Sequence, residues 1–495
     1  LFAGSLTTYS LYANQFLTHL NYTQIQVNSI SVSAELAMCL PVALYGYLCD
    51  RYSPAPLSLF SGTLFTGGYL TAAWAYRADE RLVSSGHPGE HYSKMTLAFV
   101  FIGAATSCMH IVALTTCAKA FGASRHRGLL LSTPLAAFGL SGMWQSQLGV
   151  ALFGLGPGSP FQGDLDVFAY FVALGSVLFL VGILGCFGLG NPLEQNGRHE
   201  GELEGATPTD DPNGVPYGVD QPAAESPAIN GQNDLIQTGN SNPGTYFRDP
   251  NMWLLAIGFV LATGIGEAYM NNASNLLVGT IVDIEYCPDK SRGATIQRSY
   301  HVSLLAVSST ATRLVVGAVS DRFAPLDRGS TIIAKRRGIT ISRVGVLLCT
   351  TSLLFLGCLL LSIPALHPGH SGDCRPGTGT GMLAVTTALV GIGYGSSFAL
   401  VPIIINTVWG PQNFGTNWGV VATLSSFGVG AWSLFYAWVY QEAAQHVASN
   451  RICRAGWSCY GLWAVGTTIG VGLAMLAWTL AWKGKGGWQQ KRIAV

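Results

Sequence analysis

Residues 46–52 read Gly-Tyr-Leu-Cys-Asp-Arg-Tyr, and residues 317–323 read Gly-Ala-Val-Ser-Asp-Arg-Phe. Both stretches close a long apolar run, and both set a glycine, an aspartate, an arginine and an aromatic ring in the same order. One such string carries little weight. Two of them, 271 residues apart and each ending the second apolar run of its half, imply a duplicated architecture. The residue types have a physical reading. A glycine lets a neighbouring helix approach closely. An aspartate at a helix end accepts hydrogen bonds from the bare N–H groups that start a facing helix, where the helix dipole is positive. Gly46, Asp50 and Arg51, with Gly317, Asp321 and Arg322, are therefore expected to form paired contacts that gate one end of a bundle. The plainer alternative is a local Asp50–Arg51 ion pair that fixes a tight turn.

Outward from these strings, apolar runs long enough to cross a bilayer recur. A span needs about 20 residues of helix. Twelve runs qualify: 1–20, 26–49, 54–76, 95–118, 128–155, 167–190, 251–280, 299–323, 344–366, 380–407, 413–440 and 460–482. Open sheet cannot fill these lengths in lipid, because its edge groups would go unpaired. The expected fold is an all-α membrane protein, with twelve transmembrane helices in two pseudo-symmetric six-helix halves. Composition agrees. The chain is 49% hydrophobic and 10% charged, where a soluble domain has roughly a quarter charged residues. A net charge of +1 offers nothing to a polyanion, so no nucleic-acid partner is expected. The first run opens at Leu1 with no basic flank or cleavage site, and reads as a trimmed first span rather than a signal peptide.

Between spans six and seven the composition changes. Residues 191–248 are rich in Gly, Pro, Asn and acids, with almost nothing to bury, which predicts a disordered linker. It divides an N-terminal half, 1–190, from a C-terminal half, 249–495. Lysine and arginine in the short loops set the sidedness. The loops after even-numbered spans and the tail hold 14 of them, and the opposite face holds 9. This bias puts both termini and the linker in the cytosol. The sequon Asn21-Tyr22-Thr23 falls on the opposite side, in a loop so short that it is expected to stay unmodified.

The stretch 46–51 resembles the loop 2–3 signature of the major facilitator superfamily, and 317–322 its second-half counterpart. Further strings narrow the likeness: A-E-L-A-M-C-L-P-V-A-L-Y-G-Y-L-C-D-R-Y-S-P (34–54), T-S-C-M-H-I-V-A-L-T-T-C-A-K (106–119) and F-G-L-S-G-M-W-Q-S-Q (138–147). N-L-L-V-G-T-I-V-D (275–283) and A-T-R-L-V-V-G-A-V-S-D-R (311–322) add to it. These are similar to the fungal transporters named as monocarboxylate transporter homologues. The resemblance implies a monomeric solute transporter of the fungal vacuolar membrane, working by alternating access in the lipid bilayer and without a cofactor. It leaves the solute open.

Three charged residues lie well inside the runs: Glu35, Glu267 and Arg313. A charge at the bilayer centre costs at least about 2.5 kcal/mol, so each should face the bundle interior. Arg313 sits eight residues before Asp321, roughly 12 Å from the helix end. Its guanidinium is a natural fork for a carboxylate or phosphate, which points to a small organic anion as solute, or else a structural partner for Glu267 or Glu35. In the monocarboxylate transporters that the resemblance implies, span eight carries an Asp four residues before such an arginine. Here that position is Ser309, and 1–20 contains no lysine. Glu35 is either a proton carrier or a hydrogen-bonded packing carboxyl. His110, the one titratable group inside span four, has the same two readings. Asn271 and Asn275 are candidate cavity residues on span seven. Gly391–Ser397 is read as either cavity lining or helix packing. No nucleophile–base set, phosphate loop or metal cluster is legible, so an enzyme is not expected. A transporter-fold solute sensor without net flux is the alternative. Four loop cysteines, Cys287, Cys374, Cys453 and Cys459, could supply a disulfide.

Overall fold

The computed structural model describes residues 3–122, 124, 126–154, 165–189, 243–280, 290–323, 341–364, 378–445 and 456–491. The expected linker segment 191–242 lies outside them, as do Cys287, Cys374, Cys453 and the side chain of Asn275. A 3-10 turn, Ala3–Thr8, leads into α1, Tyr9–Thr18. Then come α2 (Gln24–Cys39), α3 (Val42–Arg51), α4 (Pro54–Ser84), α5 (Tyr92–Phe121), α6 (Arg127–Phe153) and α7 (Val167–Gly188). A short α8 (Pro243–Arg248) precedes α9 (Pro250–Thr280), α10 (Lys290–Phe323), α11 (Arg343–Ser362), α12 (Thr378–Trp409), α13 (Phe414–Gln445) and α14 (Gly461–Lys483). Nine of the described helices are apolar and long enough to cross a membrane on hydropathy alone. The stretch 3–18, α4 and α6 complete the twelve spans.

Local chemistry explains the helix starts. The Thr23 side chain accepts from the Gln26 N–H while Gln26 reaches back to the Thr23 N–H, a reciprocal cap on α2. Ser53 caps α4, with Pro54 in the first turn where a missing N–H costs nothing. Asp166 and Ser342 cap α7 and α11 through Ala169 N and Gly345 N, each at 3.0 Å. Span two is broken between α2 and α3 at Pro41, which has no N–H to give the helix. Asn21 turns the chain from α1 to α2 with φ of 55°, a left-handed conformation that asparagine tolerates.

Two apolar cores organise the helices. One belongs to the first half and runs from Leu6 through Phe16, Tyr69 and Phe99 to Phe171. The other fills the second half and extends across to Tyr45, Cys49, Ile111, Leu114 and Leu131 of the first. Those residues lie toward the end of the bundle that carries Asp50. The halves thus share one core at the motif end and keep separate cores away from it. Across the divide, α3 packs on α13 and α6 packs on α10.

Three expectations are corrected here. Residues 243–248 are not linker but a docked helix, because Tyr246 is 1% exposed and donates to the Asn417 carbonyl at 3.1 Å. Span three runs on to Ser84, so Arg77 and Arg81 sit on helix rather than in a loop. Of the three charges expected inside the bundle, Arg313 is buried, Glu267 is half-buried and Glu35 is exposed. Asp79, Lys119, Arg127 and Arg343 are buried too, since the longer helices carry these nominal loop charges into packed surroundings. Among the described cysteines, Cys459 is in a disulfide, and its partner lies outside the described residues.

Asp79 shows how such a charge is accommodated. Its fully buried carboxylate accepts from Tyr22 Oη at 2.5 Å, Glu90 N at 3.0 Å and His91 N at 3.1 Å, and it meets His91 Nδ1 at 2.7 Å. Burial and the adjacent carboxylate push the Tyr22 hydroxyl upward, so it stays a phenol donor. Replacing Asp79 by Ala strands these donors and should destabilise the protein by about 3 kcal/mol, read as a lower Tm in detergent. Asp79→Asn, which keeps part of the acceptor set, should lose less. Equal Tm for all three proteins would show that this network holds nothing.

Candidate functional site

The two aspartates of the repeat each sit on the start of a helix from the opposite half. Asp50, at the end of α3, accepts from Gly415 N at 3.2 Å and from Thr416 N at 2.6 Å, both in the first turn of α13. The Thr416 hydroxyl adds a third bond at 2.8 Å. Asp321, near the end of α10, accepts from Gly128 N at 2.7 Å and Leu129 N at 2.9 Å, in the first turn of α6. Each carboxylate thereby satisfies donors that the helix itself cannot.

Glycines make the approach possible. A Cβ on Gly46 would lie 2.0 Å from the Gly415 carbonyl oxygen, and one on Gly317 would lie 2.7 Å from the Gly128 carbonyl oxygen. Gly415 and Gly128 are equally constrained, at 2.7 Å from Gly46 O and 2.6 Å from Gly317 O. Two glycine pairs therefore let backbone meet backbone at symmetry-related places.

The charges around the two carboxylates differ. Lys119 Nζ lies 3.1 Å from Asp50 Oδ1 and also donates to the Cys49 carbonyl at 3.2 Å. Both partners are 5% exposed. Asp321 instead lies in the electrostatic range of Arg127 and Arg343, and Arg343 Nε donates to Ser320 Oγ at 3.0 Å. Arg51 and Arg322 are exposed. Asp50 thus pairs with Lys119 and not with its neighbour Arg51, so the tight-turn alternative does not describe this contact.

Between the halves lies a polar cluster. Arg313 on α10 is 7% exposed, and its Nη1 donates across the divide to the Leu135 carbonyl at 2.6 Å. Its guanidinium carbon is 5.4 Å from the Phe398 ring centroid and 5.8 Å from that of Tyr394, both on α12. The Tyr394 hydroxyl donates to Glu267 Oε1 on α9. Gly266 makes room for that ring, since a Cβ there would lie 2.5 Å from Tyr394 Cδ2. Arg313 and Glu267 consequently communicate through Tyr394, with no ion pair between them within 4.0 Å among the described residues.

The first half faces this cluster. Glu35 on α2 is exposed, and its charge interacts with that of Glu267. Cys39, one turn on, lies near both carboxylates. The His110 ring packs at a tilt on that of Phe138, 4.8 Å between centroids, and lies within range of the Arg313 charge. Asn271 is exposed, one turn beyond Glu267 on the same face of α9. The glycine string 391–397 divides its roles. Gly391 and Gly395 pack on α10, Gly393 packs on α11, and Tyr394 turns to the cluster.

These features invite comparison with known proteins. The profile of the Major Facilitator Superfamily matches residues 1–433. The chain belongs to that superfamily. A protein of Aspergillus fumigatus named probable transporter mch1 is 41% identical, over 100% of this chain and 85% of its own length. One of the same name from Neurospora crassa is 37% identical, covering 100% and 89%. Among solved structures, the proton:xylose symporter XylE superposes with a TM-score of 0.61 at 14% identity, covering 98% of this chain and 94% of that one. A bacterial homologue of the iron transporter ferroportin, in an outward-facing state, gives 0.56 at 11% identity, covering 96% and 95%. The two structures speak for the fold. This superfamily member is accordingly an integral, multi-pass membrane protein from a family of transporters rather than enzymes.

Sequence reasoning missed Lys119, Gly128, Gly415, Thr416 and Tyr394. Gly128, Gly415 and Thr416 had a signal: the helix starts Arg127-Gly128-Leu129 and Phe414-Gly415-Thr416 put a glycine in the first turn of spans five and eleven. Tyr394 had only its place inside a glycine string.

Removing one partner of a buried ion pair costs about 3–5 kcal/mol. Asp50→Ala should therefore loosen the motif end and expose Cys49, which is 0% exposed beside it. The measurement is N-ethylmaleimide modification of Cys49, followed by peptide mass spectrometry. Labelling should be faster in Asp50→Ala and should partly return to the wild-type rate in Asp50→Ala/Lys119→Ala, which buries no orphan charge. Unchanged protection in the single variant would mean that Asp50 does not hold this end shut.

Proposed function

We propose that this superfamily member moves a small organic anion across a fungal membrane by alternating access, with Arg313 as the group that receives the anion's carboxylate. One observation carries the reading. Arg313 is buried between the halves with Nη1 on a backbone carbonyl of the other half and Nε without a hydrogen-bond partner. A buried guanidinium with a free N–H is a poor resting place for charge, and a planar carboxylate satisfies it better than water does.

The neighbours fit that role. Tyr394 and Glu267 offset the Arg313 charge from one side. An arriving carboxylate would compete for the guanidinium and release Tyr394 toward Glu267. Phe398 and Phe138 supply apolar surface for the rest of a small solute. Glu35 faces Glu267 from the other half, so a proton shared in this region would couple to movement of the halves. Asp50 and Asp321, with Gly46 and Gly317, form the gate in this proposal. Arg51 and Arg322 stand at its exposed margin. The Lys and Arg bias supports a cytosolic gate, and the resemblance is the ground for proposing the vacuolar membrane.

The test is uptake of radiolabelled monocarboxylates, dicarboxylates and amino acids by purified protein in liposomes, with and without a pH gradient. Arg313→Ala should abolish anion uptake while leaving Tm near wild type. Tyr394→Phe should keep uptake measurable but raise KM or alter its response to the gradient. Absence of anion flux in intact wild-type protein would dispose of the carboxylate assignment.

A further inference from the structure

On the lipid-facing side of the first half, α4 and α7 begin in close contact and then part. Near the motif end their backbones touch, since a Cβ on Gly182 would lie 2.8 Å from the Gly62 Cα. The Ser58 hydroxyl adds a bond to the Gly182 carbonyl at 3.2 Å. Farther along, Gly175 packs on Tyr69. Beyond it lies a cavity of about 470 Å³, lined by Leu70, Ala73, Trp74, Arg77 and Arg81 of α4 and by Phe168 and Val172 of α7.

The lining is ordered along α4. Leu70, Trp74, Arg77 and Arg81 recur at helical spacing and so share one face. Leu70 is 44% exposed and Trp74 50% exposed. From Leu70 to Arg81 the helix rises roughly 16 Å. Over that distance the stripe passes from aliphatic to aromatic to cationic, the order in which a lipid presents chain, interface and headgroup. Exposed arginines at a helix end often do no more than reach for water. Here Arg77 is held, with its guanidinium carbon 4.3 Å from the Phe168 ring centroid. Glu80 offsets one charge at 3.6 Å from Arg77. Arg81 has no ion-pair partner among the described residues, and Lys94 lies 4.6 Å from the Trp74 ring centroid. The cleft is thus lined by two arginines beside an aromatic wall, with Glu80 as counter-charge and Lys94 against the Trp74 ring.

We propose that the α4–α7 cleft is a binding site for an anionic phospholipid. The phosphate bridges Arg77 and Arg81, and one acyl chain lies along Leu70, Ala73 and Val172. This site is separate from the solute cavity and does not depend on the transport reading.

The test uses delipidated full-length protein in detergent, with dioleoyl phosphatidylglycerol or dioleoyl phosphatidylcholine added, and with glycerol phosphate as the chain-free control. Native mass spectrometry counts retained lipid, and Tm reports stabilisation. Wild type should retain one tightly held phosphatidylglycerol and gain Tm from it, but not from phosphatidylcholine or glycerol phosphate. Arg77→Gln/Arg81→Gln should weaken retention about tenfold while keeping its lipid-free Tm. Arg81→Gln alone, at an exposed position, should weaken it less. Val172→Trp fills the cleft with both arginines in place and should lose the same lipid. Equal retention of the two lipids, full stabilisation by glycerol phosphate, or undiminished binding in either the double variant or Val172→Trp would overturn the proposal.

Discussion

Everything at the motif end depends on a carboxylate buried against the start of a helix from the other half. Such a carboxylate must be satisfied by donors, and a helix start has donors it cannot use itself. Asp50 and Asp321 solve both problems at once, twice. The arrangement works only if backbones come close, and the Gly46–Gly415 and Gly317–Gly128 pairs supply that closeness. The shared apolar core then follows, because helices held backbone to backbone exclude water from Cys49, Leu114 and Leu131. The two contacts are not equal in electrostatics. Asp50 has a hydrogen-bonded lysine, whereas Asp321 lies among arginines that touch it less directly.

The repeat, the twelve spans and the acceptor role of the helix-end aspartates were legible because each rests on local chemistry. Apolar length, proline breaks and caps act over a few residues. The partners were less legible, since Gly128 and Gly415 are ordinary glycines until a second helix is set on them. Lys119 was counted as a loop charge because span four was drawn to end just before it. Asp79 went unread because span three was drawn to end at 76: where a helix continues past its apolar core, a charge near its end can be buried by neighbours that sequence does not place. Span two shows the opposite case, in which Pro41 marks the break directly.

In the central cluster the charges stand on different helices and meet through an intermediary. Arg313 and Glu267 were both visible as membrane charges, and a pair of Arg313 with Glu267 or Glu35 was one of two readings, beside contact with a solute. Tyr394 intervenes, using the space that Gly266 leaves. A phenol between a guanidinium and a carboxylate keeps both polar groups engaged without locking them together.

The docked helix α8 has a consequence for handling the protein. Tyr246 meets Trp409 at 5.0 Å between ring centroids, and Trp409 meets Trp488 at 6.0 Å. Asn251 donates to the Gly486 carbonyl at 3.0 Å, and Asp249 lies 3.6 Å from Lys491. Residues 484–491 and the entry to α9 are therefore one fastening, closed by aromatic edges. A reporter fused directly after Lys483, or a deletion that removes Trp488, would strip the cover from Trp409, the ring against which Tyr246 packs. Expression work on this protein should treat Gly484–Lys491 as part of the folded body and attach tags only beyond it.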